Sequence, residues 1–257
     1  MKEIKKLKKD ENTLFIFTSD NGPFVIRGIE AGSCGYVKNK EGKLLGPLSG
    51  AKGDQFECGI RVPTIMRFKN KLKEGIINDK TFSHLDIFPT IAKLANIKIP
   101  SSIYLDGKEM ITSIENGNIN NHNYLMHYCG TNLVAARYKN YKIHFETPIY
   151  DKNEFNSCPS TLICSCSGIK RNPPLVFDLD LDPIEKNPLN SNDENVKKII
   201  LKIKNKIEQH QQTILPNTEN QLNYLPLPHL FPCCEKYKNL TSIEKYFKIF
   251  TNQCGCE

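Results

Sequence analysis

The chain contains no tryptophan, has only 4 methionines among its 257 residues, and is short of long apolar runs. No window approaches the roughly 18 consecutive apolar residues of a membrane-spanning helix, and the basic stretch at the start lacks the apolar segment of a signal peptide. The net charge is +7, yet the lysines are scattered, without clustered arginines or a nucleic-acid motif. Taken literally, these absences predict a soluble, cytosolic protein that does not bind nucleic acid, with enough hydrophobic residues (39%) for a real core.

The cysteines contradict that interpretation, because 8 of the 10 are clustered after residue 128. They are Cys129, Cys158, Cys164, Cys166, Cys233, Cys234, Cys254 and Cys256. An even, clustered set in a lysine-rich chain predicts disulfides and an oxidising compartment. A zinc site ranks second, since "CSC", "CC" and "CGC" lack the usual ligand spacing of about two to four residues. The triplet "NLT" adds a candidate glycosylation site at Asn239, whereas Cys34 and Cys58 are left over without an assigned role.

The stretch "TLFIFTSDNGP" at residues 13–23 supplies the first candidate site. Its apolar residues do not alternate with polar ones, which is typical of a strand covered on both faces in a parallel sheet. The run ends at Asp20 and Asn21, just before the breakers Gly22 and Pro23. Ligands bind at the carboxyl ends of strands in open α/β sheets, and these two side chains offer the hard oxygen donors that Ca²⁺ or Mg²⁺ prefers. An ordinary turn is the alternative explanation.

The rest of the first region combines a long loop, a strand and a helix. Residues 22–54 form a glycine-punctuated loop without periodicity, and residues 59–68 return to a β-rich run in which Pro63 indicates an edge or broken strand. A helix follows within residues 83–100, capped by Ser83 or Asp86. The apolar residues at helical spacing are Leu85, Phe88, Ile91, Ala92 and Ala95.

After residue 120 the pattern changes to short strands and one clear helix. The strands "LVAARY" and "YKIHF" form a hairpin around Lys139 and Asn140, and "PPLVFDLDLDP" is a further strand that ends in a turn. Ser191 and Glu194 make a capping box for the helix. Its apolar face is formed by Val196, Ile199, Ile200, Ile203 and Ile207. We therefore predict an α/β fold with part of a large sheet in residues 1–120 and a smaller α+β domain in residues 121–257, where an antiparallel sheet and a packed helix precede a cysteine-stapled tail.

Three motifs stand in an order that resembles the sulfatases of the alkaline-phosphatase-like superfamily. They are "FTSDNGP" (17–23), "GPLSGAKGDQFECGIRVP" (46–63) and "SHLDIFPTIAKLANIKIP" (83–100). The segments "YLMHYCGTNLVAARY" (124–138) and "NPPLVFDLDLDPIEKNPL" (172–189), with "PCC" and "CGC", are similar to the steryl-sulfatase and arylsulfatase D/E/F/H branch. The resemblance runs from about residue 11 to the end, and it implies the carboxyl-terminal part of a sulfatase sheet followed by the smaller domain.

The resemblance implies hydrolysis of sulfate esters with a bound Ca²⁺ and a formylglycine nucleophile, which is made from the cysteine of a C-x-P-x-R motif. Within this chain it implies that Asp20 and Asn21 are metal ligands, and that Lys52 contacts the sulfate and helps the leaving group. A divalent cation and a lysine aimed at the developing negative charge would stabilise the transition state electrostatically. A solvated surface lysine is the alternative for Lys52.

The same branch implies disulfides from Cys129 to Cys166 and from Cys158 to Cys164, and pairing of the two cysteines of "PCC" with those of "CGC". The segment "SCPST" is similar to the maturation motif, but no arginine stands four residues after Cys158, so we reject it as the nucleophile. The histidines keep ordinary interpretations: His84 is structural or exposed, His127 packs near a disulfide, and His144 alternates along a strand towards solvent.

The departures from the family pattern decide the overall prediction. The C-x-P-x-R motif and the paired aspartates that complete the metal site are not found. We therefore expect the carboxyl-terminal half of a calcium-dependent sulfatase, inactive by itself, whose true amino terminus, nucleophile and any membrane-anchoring hairpin lie in a preceding half. The full protein would belong to the secretory pathway (endoplasmic reticulum, lysosome or extracellular space) and act on a steroid, aryl or sugar sulfate.

Two other classes are weighed against this expectation. The first is a non-enzymatic, secreted fragment that persists because disulfides stabilise it. The second is a phosphodiesterase of the same superfamily, which fits less well because the several metal-binding His and Asp residues of those enzymes are not found.

Overall fold

The computed structural model describes residues 1–25, 30, 32–116, 121–148 and 168–214. The first region contains α1 (Lys2–Lys6), β1 (Phe15–Thr18), β2 (Tyr36–Lys38), β3 (Leu44–Pro47), α2 (Glu57–Ile60), β4 (Thr64–Arg67), α3 (Ile87–Leu94) and α4 (Ile111–Asn116). The second contains β5 (Tyr124–Cys129), β6 (Asn132–Tyr138), β7 (Tyr141–Thr147), β8 (Ile169–Asp178) and α5 (Glu194–Gln211). Residues Met1–Ile207 form one compact unit, and a second unit, Glu208–Glu257, contributes only the end of α5 and the residues just after it to the described part of the chain.

The four strands of the second region form an antiparallel sheet in the order β5-β6-β7-β8. The predicted hairpin is confirmed, because β6 and β7 are joined through Lys139 and Asn140, and Lys139 adopts the positive φ of 55° that such a tight turn requires. The strand predicted in "PPLVFDLDLDP" is also confirmed as β8, which ends at Asp178 in a turn.

Helix α5 packs its apolar face on this sheet, as the periodicity predicts. Its buried residues Val196, Ile203 and Ile207 join Ile143 and Val176 in one hydrophobic core. Each fully buried isoleucine contributes on the order of 2 kcal/mol.

The predicted capping box of α5 was wrong. The first-turn N–H groups of Asn195 and Val196 donate to the Asp193 carboxylate, at 2.7 and 3.3 Å, so Asp193 caps the helix in place of Ser191.

Strand β1 differs from the prediction of a buried parallel strand. It pairs antiparallel with β4, and Phe17 lies directly opposite Ile65. Both side chains are well exposed, at 69% and 64%, because no described element packs on the face that they share. Within the described residues, β1 is therefore apolar in sequence but not buried on both faces.

The predicted glycine-rich loop at residues 22–54 contains, in its described part, the short antiparallel hairpin of β2 and β3, which the sequence pattern did not predict. The register shifts at Val37 and Lys38, opposite Gly46 with a φ of 115°, and such an irregularity erases the alternation that marks a strand.

Helix α3 starts as predicted, but of its predicted apolar residues only Ala92 is buried, together with Pro89 and Thr90. Ser83 caps the preceding 3₁₀ turn and forms a capping box with Asp86. Leu85 and Phe88 of the predicted apolar face are exposed, at 55% and 57%. The buried Asp86 carboxylate instead accepts hydrogen bonds from four groups: the backbone N–H groups of Ser83 and Lys108 and the side chains of Asn121 and His122. Asp86 therefore has a structural role, because both of its carboxylate oxygens accept hydrogen bonds within the fold.

Candidate functional site

The predicted metal ligands lie in a tight turn directly after β1, which we call the strand-end turn (residues 19–23). Ser19 Oγ donates to the Asn21 carbonyl at 2.9 Å, and the Asn21 backbone N–H donates to Asp20 Oδ1 at 3.0 Å. Asn21 Nδ2 donates to the Gly22 carbonyl at 2.8 Å. Asp20 is exposed and Asn21 is half-buried. The side-chain nitrogen of Asn21 is therefore used within the turn. The side-chain oxygen of Asn21 and the carboxylate of Asp20 are the atoms that could bind a cation.

Lys52 lies on a second turn, which we call the Lys52 loop (residues 49–58). Its backbone N–H donates to the Pro23 carbonyl at 2.9 Å, and the Gly22 N–H donates to the Gly59 carbonyl, also at 2.9 Å. A side chain on Gly22 would place its Cβ only 1.7 Å from the Cys58 carbonyl oxygen, so only glycine permits this approach. The structure therefore brings the strand-end turn and the Lys52 loop into direct backbone contact.

The Lys52 loop is braced from within by Asp54. Its carboxylate accepts the Ala51 and Phe56 backbone N–H groups, both at 2.9 Å. Gly50 has a φ of 87°, and a Cβ there would lie 2.4 Å from Asp54 Oδ1, so the turn closes tightly around this carboxylate. Lys52 itself is exposed, and its ammonium lies 5.8 Å from the centroid of the Phe24 ring. A buried turn therefore carries an exposed lysine next to the strand-end turn.

His84 also lies at the carboxyl end of β1. Thr18 Oγ1 is 3.0 Å from Thr64 Oγ1 and 3.3 Å from His84 Nε2. His84 is exposed, in agreement with its ordinary interpretation. Its proximity to the strand-end turn arises from a pairing 66 residues apart, for which local sequence carries no signal.

The two cysteines without an assigned role are joined to each other. Cys34 and Cys58 form a disulfide across 24 residues, and Cys58 is only 1% exposed. The bond ties the glycine-rich loop to the start of α2, at the end of the Lys52 loop. Cys129 is also disulfide-bonded. The other predicted cysteines, Cys158, Cys164, Cys166, Cys233, Cys234, Cys254 and Cys256, lie with Asn239 outside the described residues.

A buried ionic cluster that sequence reasoning missed lies behind the Lys52 loop. It comprises Glu57, Lys142, His144 and Glu185. The Lys142 ammonium lies 3.0 Å from Glu57 Oε1 and 3.1 Å from Glu185 Oε1, and His144 Nε2 lies 2.7 Å from the same Glu185 oxygen. Phe56 stacks on the His144 ring, with centroids 4.6 Å apart. The expectation that His144 faces solvent was wrong, because it is 0% exposed.

Two members of the cluster, Glu57 and His144, have lowered pKa values, for different reasons. Burial alone would raise the pKa of Glu57, but the adjacent Lys142 ammonium, with Arg137 and Arg61, lowers it to about 2. Burial lowers the pKa of His144 despite its hydrogen bond to Glu185, so this ring is neutral at pH 7. Its Nδ1 atom has no hydrogen-bond partner among the described residues.

The donor chemistry of Asp20 and Asn21 fits a calcium ion, since both offer hard oxygen ligands. They would supply two of the about six to eight ligands that Ca²⁺ takes. In the part of the chain that the structure describes, no group of three or more His, Cys, Asp or Glu side chains is arranged to hold a metal. Within the same residues, no helix is both long and apolar enough to cross a bilayer.

Comparisons with known proteins agree with the motif order. The sequence profile of the sulfatases matches residues 1–97, and that of the C-terminal region of aryl-sulfatase matches residues 120–242. Steryl-sulfatase of Homo sapiens is 35% identical over 245 residues, which are 90% of this chain and 41% of that protein. Arylsulfatase H of Canis lupus familiaris is 34% identical over 242 residues, which are 87% of this chain and 41% of that protein.

The solved structures show the same fold. The crystal structure of the PsFucS1 sulfatase from Pseudoalteromonas sp. superimposes with a TM-score of 0.64 at 26% identity, over 84% of this chain and 40% of that chain. The chain belongs to the sulfatase family, and the predicted family and fold class are confirmed. It spans about two fifths (41%) of the length of the curated relatives named above.

Proposed function

We propose that this chain forms the cation- and sulfate-holding side of a sulfuric ester hydrolase. The observation that supports the proposal most directly is the hydrogen bond from the Lys52 N–H to the Pro23 carbonyl, which joins the lysine loop to the strand-end turn. Steryl-sulfatase and arylsulfatase are the names of the relatives, so a steroid or aryl sulfate ester is the proposed substrate class, with sugar sulfates as the alternative.

Each proposed residue has a distinct role. Asp20 and Asn21 would hold Ca²⁺ through their side-chain oxygens. When bound, that ion would act as a Lewis acid towards the sulfate oxygens. Lys52 would place its ammonium against the sulfate and stabilise the charge that develops on the leaving oxygen. Because Asp54 and the glycines fix the loop, Lys52 needs little reorganisation to do so.

The nucleophile is proposed to come from outside these 257 residues, because none of the 10 cysteines begins a C-x-P-x-R motif. The proposed nucleophile is a formylglycine, and the chain by itself is expected to be inactive. The test is an assay on 4-nitrophenyl sulfate after co-expression with a formylglycine-generating enzyme. Turnover that Lys52→Ala abolishes would contradict the proposed inactivity.

The disulfides support a secretory location for the full protein. The bond between Cys34 and Cys58, and the bonded state of Cys129, are typical of proteins that mature in an oxidising compartment. We therefore propose the endoplasmic reticulum, the lysosome or the extracellular space. The same bonds agree with the alternative of a secreted, non-enzymatic fragment, and the binding experiment below separates the two.

The binding experiment measures acetylation of individual lysines by mass spectrometry while sulfate is titrated in the presence of calcium. Sulfate is expected to protect Lys52, and Lys43 is the matched control because it is also exposed and lies only 9 positions earlier. Removing calcium with a chelator, or the variant Asp20→Ala, should abolish the protection. Equal protection of both lysines, or protection that survives both treatments, would contradict the proposed site.

A further inference from the structure

The Lys52 loop is closed at its base by two consecutive residues from the second region of the chain. Ser49 Oγ donates to the Ile184 carbonyl, and the Glu57 N–H donates to Glu185 Oε2 at 2.6 Å. Ser49 and Cys58 also join directly, through a hydrogen bond of 2.9 Å from the Cys58 N–H to the Ser49 carbonyl. Both ends of the loop that carries Lys52 are therefore attached to the same short segment after β8.

Glu185 is held in an unusual backbone conformation to make its contact. Its φ is 54°, in the left-handed region that residues other than glycine seldom adopt, because their Cβ atom crowds the following carbonyl oxygen. Its side chain is fully buried, and Oε1 receives both the Lys142 ammonium and His144 Nε2 while Oε2 receives the Glu57 N–H. The carboxylate is thus fixed on both oxygens, and the contacts offset the backbone cost.

We propose that Glu185 is a positioning residue for Lys52, acting through the Glu57 amide to keep the Lys52 loop closed against the strand-end turn. The lysine lies five positions before Glu57, and the backbone between them is braced by the Asp54 carboxylate, so the effect is transmitted through this backbone. The role of the positioned lysine rests on the function proposed above. The proposal that Glu185 holds the loop closed is independent of that function.

The variant Glu185→Gln isolates this contact without leaving an unpaired charge. Lys142 keeps its partner Glu57 at 3.0 Å, so the remaining buried pair is balanced. The glutamine has one acceptor oxygen in place of two, whereas three donors point at the wild-type carboxylate. Because Lys142 and His144 both contact Oε1, the glutamine oxygen is expected to stay on that side, so the NH₂ group faces the Glu57 N–H and that contact is lost.

Hydrogen–deuterium exchange of the full chain tests the proposal. The amides of Ala51, Lys52, Phe56 and Glu57 are all hydrogen-bonded in the closed loop. In Glu185→Gln their exchange is expected to accelerate about tenfold or more, as for loss of a hydrogen bond to a charged group. Exchange in helix α5 should not change, which separates local opening from global unfolding.

Asp182→Asn is the matched control for damage to the segment after β8. Asp182 is also buried there, and its carboxylate accepts the Asn187 N–H at 2.7 Å, inside the same segment. This variant should leave exchange of the Lys52 loop unchanged. Equal acceleration in both variants, or none in Glu185→Gln, would overturn the positioning role. Should Glu185→Gln not fold, Ser49→Ala removes only the hydroxyl at the other end of the loop, and it must open the loop in the same direction for the proposal to stand.

Protection of Lys52 by sulfate from acetylation gives a second measurement. It would not change if Glu185 served only to stabilise the fold. Glu185→Gln should raise the sulfate concentration that protects Lys52, whereas Asp182→Asn should not. If the loop opens but wild-type Lys52 is never protected, the function proposed above fails and the positioning role stands. If wild-type Lys52 is protected and the loop does not open in Glu185→Gln, the positioning role fails by itself.

Discussion

Replacing Lys142 by methionine tests whether the buried ionic cluster holds the two regions of the chain together. The Lys142 side chain is 0% exposed and its ammonium lies within 3.1 Å of two carboxylates, Glu57 and Glu185. Methionine keeps most of the apolar length of the side chain but removes the charge. The variant therefore leaves two buried carboxylates facing each other without the cation between them.

The magnitude follows from burial and from the pKa of Glu57. Removing one partner of a buried ion pair costs about 3–5 kcal/mol. Independently, the shift of the Glu57 pKa from its ordinary 4.5 to about 2 corresponds to about 3 kcal/mol of stabilisation above pH 4.5. We therefore expect Lys142→Met to lower the free energy of unfolding at pH 7 by about 3–5 kcal/mol.

The sign of the pH dependence makes the prediction sharper. In the wild type the pKa of Glu57 is lowered, so its contribution is complete above pH 4.5 and is lost as the pH falls towards 2. Without Lys142, burial is the largest remaining influence and acts to raise that pKa, so the variant is expected to lose less stability than the wild type as the pH falls. The difference between variant and wild type should be largest at pH 7 and should shrink towards pH 4.5.

Urea unfolding followed by far-ultraviolet circular dichroism suits this chain, which has no tryptophan to report by fluorescence. Lys40→Met is the matched control, because the Lys40 ammonium lies 3.0 Å from Asp180 but both side chains are well exposed, and such a pair contributes little. Adding Glu57→Gln to Lys142→Met should recover part of the loss. Equal, small losses in Lys142→Met and Lys40→Met, or a loss that does not depend on pH, would refute the reasoning.

Two further predictions concern a buried histidine and an exposed apolar pair. Burial lowers the pKa of His144 below its ordinary 6.5, so the neutral ring stabilises the fold fully above that pH, and this stabilisation is lost as the pH falls. In His144→Gln the fall of the unfolding free energy between pH 7 and 5 should be less steep, by up to about 1.4 kcal/mol per pH unit. A urea midpoint that depends on pH in the same way in variant and wild type would contradict this. Phe17 and Ile65 are 69% and 64% exposed, so replacing both with threonine should change the free energy of unfolding by less than about 0.5 kcal/mol. The same change should reduce binding of the apolar dye ANS. A clear loss of stability would show that this face is covered.

Sequence patterns predicted the elements whose signal is local. The hairpin at Lys139 and Asn140 and the apolar face of α5 depend on contacts between neighbours in sequence or on a helical period, and both are observed. The turn at Asp20 and Asn21 follows the strand as expected, because a glycine and a proline end the run. The motif order was enough to recognise the family.

The parts that were missed depend on pairs far apart in sequence. Cys34 and Cys58 are separated by 24 residues, and Glu57 and Lys142 by 85. Lys142 and His144 alternate with apolar residues along β7, which usually indicates a strand with one face in solvent. Here the polar face is buried as well, because the carboxylates of α2 and of the segment after β8 pair with it.

Strand β7 therefore has two buried faces of opposite character, and each has a different consequence. On one face Ile143 packs with α5 in an apolar core, which stabilises the sheet but tolerates some sliding of one side chain past another. On the other face Lys142 and His144 meet Glu57 and Glu185 through hydrogen bonds of fixed direction. An ionic contact of this kind gains little over an apolar one in free energy, since desolvation offsets the attraction, but it permits a narrow range of relative positions. The positioning role proposed for Glu185 depends on this narrow range, because an apolar contact would stabilise the same fold without fixing the position of the Lys52 loop.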